Sequence, residues 1–367
     1  LEDNLKYWIA LNLVLAEQLK ALKSLCARFP RIRDLFEASA ADLQALGLDE
    51  QNALTLLSPE TLDRAEADIE KLAQKKYTVL TLDDRKYPAY LREIFDPPSV
   101  LYCAGDVGVL DEPAVSIVGA RRPTPYGRAV AEKLASDLAS RGVVVVSGLA
   151  RGIDSIAHWG ALQGGKTVAV MGSGLDVIYP KENKRLFAKI LERGAVITEF
   201  PLKSPPLGYH FPMRNRIISG LSLGVTVVEA TKRSGSLITA RLALEQNREV
   251  MAVPGNTTSE LSQGTNWLVK TGAKLVETWE DVAEELPPPL RERLLALKEK
   301  MTRKTLPPVT PHEEKVLTLL KPDALIYIDE LVEHTDLSVS EVLTLCLQLE
   351  LKGYITQSLG KNFQRKI

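Results

Sequence analysis

At 367 residues the chain is too long for one ordinary domain, and its 45% hydrophobic and 25% charged residues are the composition of a globular protein. A formal net charge of -1 excludes a polycation held to nucleic acid by an overall field, so any such binding rests on a local cluster of Lys and Arg. Cys26, Cys103 and Cys346 are scattered and odd in number, and His158, His210, His312 and His334 show no metal-ligand spacing, which excludes a disulfide framework and a zinc site. The histidines are expected at the surface or at helix ends, and the sparse cysteines fit a reducing cytoplasm.

The first 75 residues read as helices, with Leu5, Ile9, Leu13, Ala16 and Leu19 at helical spacing and breaks at Pro30 and Gly47. They suit a helical domain of the SAM or helix-hairpin-helix kind. The glycine-rich hairpin by which such modules grip DNA is missing, so packing or partner contact is the expectation. The apolar run 7–16 is far shorter than the ~20 residues that span a bilayer. No signal-peptide pattern precedes it, and Leu1 in place of Met suggests a trimmed or processed start. A cytoplasmic protein with no membrane contact is expected.

Residues 76–105 read as a strand-bearing connector, β-rich over 77–82 and punctuated by Pro88, Pro97 and Pro98. From residue 114 a regular alternation begins. Val/Ile-rich runs at 114–118, 143–146, 167–171, 195–198, 225–228 and 250–253 alternate with helices at 126–141, 153–162, 184–193, 215–221 and 236–246. Near-continuous apolar strands between helices indicate a parallel sheet covered on both faces, a doubly wound, Rossmann-like α/β domain over 106–285. Residues 286–310 carry Pro287–289, Pro307 and Pro308 and read as a Pro-rich linker. Residues 311–367, three short helices and a terminal hairpin, describe a winged helix.

Ligands of an open parallel sheet sit beyond the carboxyl ends of its strands. Those ends carry Gly119-Ala120-Arg121-Arg122, then Ser147-Gly148 with Arg151, then Gly172-Ser173-Gly174 with Lys181, Asn183 and Lys184, and finally Lys232-Arg233-Ser234-Gly235-Ser236. Small residues allow close backbone approach, helix N-termini favour anions, and Arg and Lys add charge, so this edge suits several phosphates.

Residues 160–167 satisfy the P-loop expression, but a helix precedes them and a strand follows, the reverse of what phosphate binding requires. The segment 172–174 lacks the third glycine of a dinucleotide fingerprint, Val177 standing there. Asp154, Asp176, Glu199 and Glu229 are read as helix caps and charge balance. Neither a catalytic group nor a cofactor is expected.

The stretches SIVGARRPTPYG (116–127), VVSGLARGIDSIAH (145–158), GSGLDVIYPKENKRL (172–186), FPMRNRIISGLS (211–222) and KRSGSLITARLALEQNREVMAVPG (232–255) resemble the DNA-processing protein A (DprA, or Smf) family. The resemblance implies a homodimeric, single-stranded-DNA-binding recombination mediator of natural transformation that protects incoming DNA and loads RecA onto it. By the same resemblance, Arg121 matches the family's DNA-contacting arginine and Lys184 its lysine after the third strand. Phe187 matches in position a base-contacting aromatic, and Ser234-Gly235-Ser236 the phosphate-accepting turn. The reading from an enzyme class is a nucleotide hydrolase of the related phosphoribohydrolase fold, which the missing glutamate of a PGGxGTxxE motif disfavours. Residues 311–367 hold six cations against nine acids, a formal -3, and 338–341 offer no Arg for base edges, so a protein-contact or regulatory role is expected there.

Overall fold

The computed structural model describes residues 2–305, 307–321, 325–358 and 360–365. Six helices come first: α1 (Glu2–Leu15), α2 (Leu19–Arg28), α3 (Ile32–Leu35), α4 (Ala40–Ala45), α5 (Glu50–Leu57) and α6 (Pro59–Gln74). Their starts are marked locally. Ser39 forms a capping box with Asp42 on α4, Asp49 caps α5, and Pro59 occupies the first turn of α6.

These helices share one hydrophobic core with the sheet that follows. Trp8, Ile9, Leu11 and Leu15 of α1 belong to the same buried cluster as Val100, Tyr102, Ala169, Met171 and Val196. Asn12, itself buried, donates to the Tyr102 hydroxyl at 3.2 Å and to the Glu199 carbonyl at 2.9 Å. The N-terminal helices and the sheet thus fall in one compact unit, and a second begins at Glu292.

The central elements are β1 (Thr78–Thr81), α7 (Ala89–Arg92), β2 (Val100–Gly105), β3 (Ala114–Gly119), α8 (Pro125–Ser140), β4 (Val144–Ser147), α9 (Ile153–Gly164) and β5 (Thr167–Val170). Then come α10 (Lys184–Arg193), β6 (Ala195–Thr198), α11 (His210–Gly220), β7 (Gly224–Val228), α12 (Gly235–Glu245), β8 (Glu249–Ala252), α13 (Gln263–Lys270), β9 (Lys274–Leu275) and α14 (Trp279–Glu284). The sheet order is β1-β2-β6-β5-β4-β3-β7-β8-β9. Strands β3 to β9 are mutually parallel, as the apolar runs of β3 to β8 predict. The stretch read as a strand-bearing connector supplies β1, within the β-rich 77–82, and β2 as well; both join the sheet antiparallel, β2 beside β6 with Tyr102 opposite Thr198 and β1 beyond it.

Two further boundaries differ from expectation for one reason. Helix α11 begins at His210, not 215, because Pro212 falls in its first turn, where a backbone N–H has no helical partner to lose. Likewise the expected linker contains α15 (Pro288–Thr305), whose prolines sit in the first turn and whose Leu290 and Leu294 are buried.

The second unit holds α16 (Pro311–Leu319), β10 (Ile326–Tyr327), α17 (Ile328–Thr335), α18 (Val339–Leu351), β11 (Ile355–Ser358) and β12 (Asn362–Arg365), with sheet order β10-β12-β11. Thr310 with Glu313 and Ser338 with Glu341 form the capping boxes that open α16 and α18. Val316, Leu331, Val342, Cys346 and Phe363 fill the core of this winged helix. Asp323 and Lys366, counted in its charge, lie outside the described residues.

Candidate nucleic-acid interface

From β3 the chain winds outward through β4, β5 and β6, then returns to β7 on the other flank of β3 and winds the opposite way. The reversal opens a crevice above β3 and β7, the topological switch point of a doubly wound sheet. A cleft of about 400 Å³ lies there, lined by Gly119 at the end of β3 and Arg121 after it, Ala150 and Asp154 after β4, Phe211 and Arg214 of α11, and Ser234, Gly235 and Ser236 at the start of α12. At Gly119 even a methyl group would collide with the Val228 carbonyl, so only glycine lets β3 and β7 meet this closely.

Arg214 forms the floor. It is buried and donates to the carbonyls of Gly148 and Val170, tying together the ends of β4 and β5. Burial pushes its pKa down to about 10 against the pull of Asp154, so it remains a cation at neutral pH. Asp154 is buried beside it and accepts from the Gly148 amide at 3.2 Å. Desolvation raises its pKa, while Arg214, the loop amides and Arg121 oppose the shift. Asp154 thus braces the loop after β4, where capping had been expected.

The rim is cationic and aromatic. The exposed Arg121 guanidinium lies 5.9 Å from the Phe211 ring centre, and Arg214 lies at the same distance. Tyr179, 43% exposed, meets Phe211 at 5.6 Å between centroids. Ser234 caps α12, Gly235 faces open space, and Lys232 and Arg233 stand exposed just before it. The Ser234 hydroxyl already accepts from the Ser236 amide at 3.4 Å and its carbonyl from the Leu237 amide at 3.1 Å, so the positive end of the helix and the flanking cations are what favour an anion here.

Other expected site residues separate into supports and neighbours. Gly148 and Gly172 line an adjoining recess with Arg151, Tyr179 and Phe211, and Arg122 stands exposed next to Arg121. Ser147 is buried and donates to the Ile117 carbonyl at 2.7 Å; Gly174 packs on the Pro201 carbonyl. The Asn183 amide donates at 2.8 Å to both the Leu149 carbonyl and the Ser155 hydroxyl. Lys181 and Lys184 are exposed, the first just before α10 and the second at its start, and neither is in the cleft lining. Phe187 is the correction: only 7% exposed, it packs with Leu186 and Ile190 in the core, and the aromatic at the cleft is Phe211.

The carboxylates near the strand ends are committed within the fold. Glu199 pairs bidentately with Arg216 at 2.6 Å, both buried; Glu229 accepts from the Thr124 amide at 2.8 Å; Asp176 accepts from the Lys203 amide at 2.8 Å. Two histidines are buried: His210 stands at a helix end, as expected, at the start of α11, whereas His158 lies inside α9, contrary to expectation. His158 faces the Thr167 hydroxyl at 2.7 Å, and burial lowers its pKa to about 3. His210 stacks on Phe200 at 3.9 Å, with Nδ1 near the Gly172 and Pro205 carbonyls and Nε2 at 2.9 Å from the Glu17 carboxylate. Tyr209 donates to the same carboxylate at 2.9 Å, so Glu17, between α1 and α2, holds the residues that precede Phe211. Among the described residues no cluster of His, Cys, Asp and Glu is placed to hold a metal, and no helix is long and apolar enough to cross a membrane.

Comparison with known proteins bears on this arrangement directly. The family profile described as DNA recombination-mediator protein A matches residues 78–287, and that described as DprA winged helix domain matches 300–361. The chain belongs to the DNA recombination-mediator protein A family. Among its relatives, protein Smf of Escherichia coli (strain K12) is 41% identical over 323 residues, 88% of this chain and 86% of the relative. DNA processing protein DprA of Streptococcus pneumoniae is 47% identical over 221 residues, 60% of this chain and 78% of the relative. The X-ray structure of the pneumococcal DprA superposes with a TM-score of 0.65 at 39% identity, covering 78% of this chain and 97% of that one. A DprA structure from Helicobacter pylori, described for its single-stranded DNA binding mode, gives a TM-score of 0.52 at 32% identity, covering 61% and 97%.

Proposed function

We propose that the chain binds single-stranded DNA across the β3/β7 cleft without altering it covalently, as a homodimeric mediator that delivers incoming DNA to RecA during natural transformation. The observation that carries this reading is the grouping of Arg121, the Phe211–Tyr179 pair and the start of α12 at one edge. A cation and the positive end of a helix meet phosphate, and an aromatic face stacks an unpaired base, which a duplex does not offer. That Glu199, Glu229, Asp154 and Asp176 are engaged within the fold speaks for binding and against hydrolysis. For the dimer, the support is an apolar groove of about 530 Å³ between α12 and α13, where Leu244 and Trp267 are 61% and 52% exposed.

Fluorescence anisotropy with single- and double-stranded oligonucleotides tests the reading. The single strand should bind more tightly, with log affinity falling against log salt by roughly 0.7 per neutralised phosphate. Arg121→Glu should weaken binding at least tenfold. Unchanged affinity in that variant, or turnover of ATP, nucleoside monophosphates or labelled DNA, would overturn it. Sedimentation equilibrium of Trp267→Asp tests the dimer, which should dissociate, and RecA filament assembly on protein-coated single strands tests the delivery step.

A further inference from the structure

We propose that a single strand leaving the cleft continues along the exposed face of α10 and ends in a groove between α9 and α10, where Trp159 stacks a base. This rests on the single-strand reading above and extends it to a second surface.

Charge is the first observation. Residues 181–193 hold five cations and two acids, a formal +3 in a chain whose total is -1. Arg185, Lys189 and Arg193 follow one another at intervals of four, and all are exposed, as is Lys184. Like charges at this spacing destabilise a helix, so folding gives a reason only for Arg193, whose charge complements the dipole in the last turn, and none for Lys184 and Arg185 at the start. Its inner face needs only Leu186, Phe187 and Ile190, which are buried. Partial neutralisation comes from Glu192, 3.0 Å from Lys189, and the Arg193 guanidinium reaches the Leu162 carbonyl at 3.4 Å.

The second observation is an aromatic where the ridge ends. Trp159, 39% exposed on α9, lines a groove of about 320 Å³ together with Leu162, Lys189 and Arg193. A large ring open to solvent and flanked by cations is what an unpaired base stacks on, and an acidic protein surface would not need it.

Continuity is the third. The Asn183 amide, immediately before α10, binds the Leu149 carbonyl in the loop that lines the cleft, and Arg151 of that loop pairs with Glu182. Lys184 therefore stands next to the cleft, and Arg193 lies about 14 Å further along the helix axis. That length matches about four phosphates at duplex spacing, fewer in an extended strand.

The test is a length series of labelled oligothymidylates bound to the full chain. Trp159→Ala and Lys189→Glu/Arg193→Glu should each weaken binding of a 20-mer about tenfold, while a 4-mer, long enough for the cleft alone, changes less than twofold. Trp159→Phe should restore most of the 20-mer affinity, and thermal melts should match the wild type. Arg121→Glu should weaken both lengths. Wild-type 20-mer affinity in both ridge variants, with Arg121→Glu still defective, would overturn the ridge and leave the cleft standing. Equal losses for 4-mer and 20-mer, or a larger loss for duplex or RNA than for single strands, would overturn it too. Failure of the wild type to bind any single strand would remove the reading beneath it.

Discussion

Phe187 and Phe211 both lie in the first turns of helices, yet one ring is core and the other is rim. Their alanine variants should therefore fail differently. Phe211→Ala should keep its melting temperature and lose about five- to tenfold in single-strand affinity, in line with ~1–3 kcal/mol for a stacked base. Phe187→Ala should instead destabilise the first unit by roughly 3–5 kcal/mol, as loss of a buried ring does. Melting curves beside anisotropy titrations of the two variants would separate the roles, and a Phe187 variant that lost affinity without stability would reverse them. The glycines and Arg121 of the site were legible because strand ends mark them. Phe211 was not, since Pro212 beside it reads as a break before a helix, and only tertiary packing brings that ring against Arg121. The bracing by Arg214 and Asp154 was hidden for the same reason: a charged residue in the first turns of a helix carries no mark of whether it faces solvent or the floor.

Among the elements, the parallel strands β3 to β8 were legible as Val/Ile runs between helices, because burial on both faces leaves no alternation. Strand direction was not. The run in β2 is just as apolar, yet it pairs antiparallel with β6, and nothing local distinguishes the two. Helix α16 carries an acid-sensitive start that its capping pattern does make visible. The Glu313 carboxyl is buried, and desolvation alone would raise its pKa. The Lys352 ammonium at 2.7 Å and the Thr310 amide at 2.6 Å outweigh that and hold it below the usual range. A depressed carboxyl adds stability above its unfolded value, about pH 4.3, and the gain is lost as pH falls through the folded value. Calorimetry of the full chain should accordingly show the second unit melting earlier as pH drops below about 4.3. Glu313→Gln should be destabilised at neutral pH and should converge with the wild type in acid; a difference constant with pH would refute the assignment.

For the whole molecule, the division at Glu292 separates the proposed DNA surface from the winged helix. Removing residues 306–367 should leave single-strand affinity within about tenfold, or ~1.4 kcal/mol, at matched salt. A hundredfold loss in a folded truncation would make the winged helix a principal DNA-binding element. The first unit is coupled much more tightly within itself, because Glu17 accepts from both Tyr209 and His210 immediately before Phe211. Reciprocity then applies: whatever free energy Glu17 contributes to ordering the start of α11 for DNA, DNA returns to the N-terminal helices. Bound single strands should slow amide hydrogen exchange in residues 12–22, a stretch outside the cleft lining, and Glu17→Ala should abolish that protection while weakening binding about threefold. The helices in front of the sheet would then report occupancy of a site they do not touch.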